Sequence, residues 1–70
     1  MTNEQLENWF TYHAPTPDQV KEYGVLRAHA HEFAKIVNAI VPECADKTAA
    51  IRKLRECVMT ANAAIACGGK

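Results

Sequence analysis

Two groups of residues in this chain have the types and spacing to do chemistry. The first is Tyr12 with His13, inside the stretch Trp9-Phe-Thr-Tyr-His-Ala-Pro-Thr-Pro-Asp-Gln19. The chain's only Trp and two of its three prolines lie here. An aromatic ring on a proline-stiffened loop is a platform on which a nucleobase can stack. The same ring could equally close the hydrophobic face of a hairpin. The second group is Thr48, Arg52 and Arg55, spaced i, i+4, i+7 and so aligned on one helix face, with Lys47 and Lys53 beside them. A helix start adds free backbone N–H groups and a positive dipole end, and the set can hold a phosphate. The alternative is a solvated charged face paired to Glu43, Asp46 or Glu56. Arg27, next to Leu26, can point at a phosphate near the Tyr12 loop.

Other reactive types lack a pattern. Cys57 has no nucleophile signature around it and reads as a buried structural thiol. His29 and His31 are two apart on a helix and point roughly 160° from each other, so they cannot chelate one ion together. Neither a metal site nor a cofactor is expected.

The elements that must position these residues are helices. Thr2-Asn-Glu-Gln5 is a capping box and predicts a short helix over about 3–10, with Leu6, Trp9 and Phe10 on one face. So short a helix needs cover and should fold back on the rest of the chain. Thr16-Pro-Asp-Gln19 repeats the signal with Pro17 at the first helical position. The helix it opens runs to about Val41, with Tyr23, Leu26, Ala30, Phe33, Val37 and Ile40 as an a/d seam. Gly24 marks either a kink or close approach, or a tolerated glycine. Pro42 to Asp46 forms the turn, Asp46 caps the last helix, and Ile51, Leu54, Val58, Ala61 and Ile65 carry the opposing seam to about Cys67. Gly68 and Gly69 end it. The expectation is an all-α fold, a short N-terminal helix plus a long antiparallel hairpin, forming a single domain over residues 1–70. Apolar width on both long helices, and alanines on several faces of the last one, call for neighbouring copies: a homo-oligomer.

Composition narrows the function. Eight basic residues balance eight acidic ones in 70 residues. That argues against a general nucleic-acid binder or a polybasic membrane anchor. A long hairpin is also not a compact helix-turn-helix, so no DNA partner is expected. Three cysteines without C-x-x-C spacing suit reduced thiols in a cytosolic protein. The polar, acidic N-terminus is no signal peptide, and no apolar run reaches the ~20 residues of a membrane span.

Phe10-Thr-Tyr-His-Ala-Pro, Tyr23-x-x-Leu-Arg27, Lys47-Thr-x-Ala-x-x-Lys-Leu-x-Glu56 and Val58-Met-x-Ala-Asn-Ala-Ala-Ile-Ala66 resemble a family of small phage helical-hairpin proteins. These are the sponges that oppose CBASS immunity, and a related hairpin occurs in sponges that oppose Thoeris. The resemblance implies a homo-oligomer, commonly a hexamer. It would bind cyclic nucleotide second messengers such as cGAMP intact, in the cytoplasm of the infected bacterial cell, without being an enzyme. It implies that Tyr12 stacks on a base, that Arg27 meets a phosphate, and that Thr48 and Arg52 contribute, with His13 beside Tyr12. Two departures stand out: Cys44-Ala45-Asp46 replaces a frequent Ser-Arg-Glu, and Thr60 replaces a frequent aromatic. A cyclic ADP-ribose signal of Thoeris is the alternative ligand, and a structural or adaptor oligomer the alternative function.

Overall fold

A threonine and a glutamine start each of the first two helices. In the computed structural model, which describes residues 1–70, α1 spans Asn3–Phe10, α2 spans Pro17–Ile40 and α3 spans Ala45–Ala66. Thr2 accepts from the Gln5 backbone N–H at 3.1 Å while the Gln5 side chain accepts from Thr2 N–H at 2.8 Å. Thr16 and Gln19 form the same reciprocal pair at 3.1 and 3.0 Å. Each box satisfies two backbone donors that a helix start would otherwise leave free.

The last helix begins differently from expectation. Cys44, not Asp46, is its N-cap, and no side chain caps it. Asp46 falls in the first turn, where its charge favours the positive dipole end. The connection from α2 is correspondingly short, Val41 to Cys44. At the other end, Gly69 N–H donates to Ala64 O at 2.9 Å and Gly68 N–H to Ile65 O at 3.1 Å. With Gly68 at φ 67° and Gly69 at φ 75°, this is a Schellman termination, which only glycine adopts cheaply.

α2 and α3 pack as an antiparallel hairpin. On α3 the half-buried positions Ile51, Leu54, Val58, Ala61 and Ile65 are those the spacing predicts. On α2 the seam drifts. Tyr23, Leu26, Ala30 and Val37 are half-buried, but Ala34 and Val41 replace Phe33 and Ile40, which are 55% and 75% exposed. The reason is the helical period: 3.6 residues per turn advances a strict 3,4 repeat by about 20° per heptad, so the contact line steps one residue forward. Phe33 and Ile40 instead join Val25 and Ile36 in a second apolar stripe, roughly 100° around α2 from the seam. Cys57 is exposed, contrary to the buried thiol expected, because it sits just before Val58 on the outer shoulder of α3.

α1 does fold back, held by polar contacts. Asn8 Nδ2 donates to Cys67 O at 3.2 Å and Trp9 Nε1 to Lys70 O at 3.4 Å. Leu6, Trp9 and Phe10 nevertheless remain 41%, 55% and 84% exposed.

The chain has no apolar interior. Its one buried residue is Lys47, 6% exposed, at the head of the α3 seam with its ammonium paired to Glu43. The molecule measures 45 × 28 × 15 Å, a single helical layer, with a radius of gyration of 15.1 Å. A compact chain of this length would have about 11 Å. It exposes 5768 Å², against about 4,300 Å² for a compact chain of its mass. The excess of roughly 1,400 Å² is surface that neighbouring copies can cover.

Candidate functional site

The Tyr12 loop is locked at both ends. Thr11 Oγ1 donates to Glu7 O at 2.6 Å, closing α1. The Thr16–Gln19 box opens α2, and Gln19 Nε2 reaches across to Ile65 O at 3.2 Å. Between them His13 Nε2 donates to Asn8 O at 2.7 Å, which requires the proton on Nε2. That same carbonyl accepts a weak bond from Cys67 Sγ at 3.8 Å. Asn8 thereby ties together α1, the loop and the end of α3.

Within this frame Tyr12 is left without a partner. It is 84% exposed, so it does not close the hydrophobic face of its own hairpin. His13 is half-buried, and its Nε2 anchors the loop. The sequence grouped these two together; in the structure the Tyr12 ring is free, while His13 holds the backbone through one of its two nitrogens.

The basic residues divide likewise. Arg27 lies in the middle of α2, where it and Arg55 line one groove of about 240 Å³ between the two long helices. Thr48 and Arg52 are exposed near the start of α3. Since α3 ends beside the Tyr12 loop, Thr48 is about 27 Å from that end at 1.5 Å per residue. Tyr12 and Thr48 of one chain therefore cannot meet in one pocket. The chain's two ion pairs join Lys35 to Glu32 and Lys47 to Glu43. Lys47 thus takes Glu43, one of the partners the charged-face alternative named, while Arg52 and Arg55 are exposed and unbridged.

A larger apolar cavity of about 620 Å³ opens between α1 and the end of α3, lined by Trp9, Phe10, Met59, Ala63 and Ala64 among others. The sequence placed Trp9 and Phe10 on one face that needs cover but did not join them to Met59. The i, i+4 step from Met59 to Ala63 was the available signal. No group of His, Cys, Asp or Glu is placed to hold a metal ion.

The short N-terminal helix and long helical hairpin are the fold that the resemblance implies. Comparison with known families decides the matter: the family model described as Acb2/Tad1, hairpin domain, matches residues 2–66. The chain belongs to this family. The Acb2/Tad1 hairpin domain is that of phage anti-defence sponges, proteins that sequester a ligand. The match takes in α1, the Tyr12 loop and both long helices, so every candidate residue lies within the Acb2/Tad1 region. No curated protein and no solved structure matches the chain. No helix is long and apolar enough to cross a membrane.

Proposed function

We propose that this protein binds cyclic nucleotide second messengers, cyclic di- and trinucleotides such as cGAMP, and holds them intact so that CBASS effectors are not activated. The observation that carries the reading is Tyr12, a ring 84% exposed on a loop fixed by hydrogen bonds at both ends, within a chain of the Acb2/Tad1 hairpin family. Pre-fixing the loop removes an ordering cost from binding, which favours tight retention. Arg27 supplies a phosphate contact from α2. Thr48 and Arg52 enter a pocket that contains Tyr12 only from a second chain, which fits binding sites between subunits of a homo-oligomer, here a hexamer. The protein acts as a reservoir in the infected cell's cytoplasm, with no bond broken and no DNA partner.

Calorimetric titration with a panel of cyclic dinucleotides, cyclic trinucleotides and cyclic ADP-ribose isomers tests this, followed by heat release and recovery of the ligand. Tight binding of a cyclic nucleotide with intact ligand returned, weakened at least tenfold by Tyr12→Ala, is expected. A degraded ligand would make the protein an enzyme. Selective uptake of a cyclic ADP-ribose isomer would transfer the reading to Thoeris, and no binding at all would leave a structural oligomer.

A further inference from the structure

The groove between α2 and α3 has an apolar floor and two cationic rims. Ala30 and Ala34 from α2, with Leu54 and Val58 from α3, are half-buried along its base. Arg27 on one helix and Arg55 on the other are exposed along its sides. Neither guanidinium has an acidic partner, although the chain carries eight acidic residues. Two like charges over an apolar floor repel each other, and an anion between them converts that repulsion into two charge-assisted contacts. The guanidinium fork matches phosphate oxygens in pairs. The alanine floor lets a sugar or flat ring approach the backbone closely. At about 240 Å³ the groove falls below the several hundred Å³ of a complete ligand pocket. It suits one phosphate with its sugar.

We propose that Arg55 is a second phosphate-binding residue, forming with Arg27 a two-sided clamp on a phosphodiester-bearing ligand. This rests on the sequestration reading above and extends it to a residue on α3. It also separates Arg55 from Thr48 and Arg52, with which it shares a helix face in sequence.

The test compares Arg55→Ala, Arg55→Lys and Lys21→Ala in calorimetric titrations with the cyclic-nucleotide panel. Lys21→Ala removes the same charge from an exposed site outside the groove. Thermal melting checks that all three stay folded. A parallel titration of the wild-type protein with inorganic pyrophosphate follows the arginine Nε–Hε NMR signals. Arg55→Ala is expected to weaken binding tenfold or more, Arg55→Lys by less, and Lys21→Ala by under twofold; pyrophosphate should shift the Arg27 and Arg55 signals together. If the wild type binds but Arg55→Ala matches Lys21→Ala, the clamp is refuted and sequestration stands. If no cyclic nucleotide binds while pyrophosphate moves both arginines, sequestration fails and the clamp stands.

Discussion

Replacing Ile36 by glutamate tests whether the uncovered stripe on α2 is an interface. Ile36 is 51% exposed in the protomer, between Phe33 and Ile40. If the protomer were the working unit, Ile36→Glu would be a surface change within about 0.5 kcal/mol. If another copy covers the stripe, burying the remaining half of the isoleucine contributes about 1 kcal/mol. An unpaired carboxylate in its place costs several kcal/mol more. A total of about 4 kcal/mol per subunit lowers an association constant roughly a thousandfold. The control is Asn38→Glu, which adds the same charge about 180° around the helix from the stripe. Sedimentation velocity and melting curves at several protein concentrations read the outcome. Wild type and Asn38→Glu should run as one assembled species whose Tm rises with concentration. Ile36→Glu should run as a smaller species with a lower Tm. Equal masses and melting curves for the two variants would refute the reasoning.

Other expectations follow from the helix ends and the glycines. Thr16→Ala removes the capping bond of α2 and should cost about 1 kcal/mol in chemical denaturation. Gly69→Ala meets no atom within 4 Å, so its whole effect is the φ of 75°; a loss of about 1–2 kcal/mol is expected by the same measurement. Gly24 also has open space around it in the protomer, so Gly24→Ala should stabilise an isolated hairpin by about 1 kcal/mol. A drop in Tm there instead would show that another chain or a ligand approaches that position.

Much of the fold could be read from local signals because those signals are local in nature. Both capping boxes involve residues three apart, and the helices they start begin where Thr2 and Thr16 place them. Cys44 escaped notice because it uses no side chain to cap, so nothing in its chemistry marks it against Asp46. The α2 seam was legible for its first half and then slipped at Phe33, where a heptad template and a real helix diverge. Tyr12 and His13 were found as a pair, but their separate roles depend on the Asn8 carbonyl, which no spacing rule connects to His13. The Arg27–Arg55 groove needed only the turn position. In a hairpin closing at Val41–Cys44, facing residues have numbers that sum to about 85, which puts Arg55 opposite Ala30, one turn from Arg27.

A chain with a single buried residue has consequences for how much of it works in a cell. If copies complete one another's structure, as the proposed homo-oligomer requires, the supply of finished assemblies rises more steeply than the supply of chains. On that proposal, below a threshold of expression solitary copies present apolar side chains to proteases. Above it, assembly removes them from attack. Protection built on such a molecule therefore switches on with dose: scarce copies are cleared, and abundant ones persist.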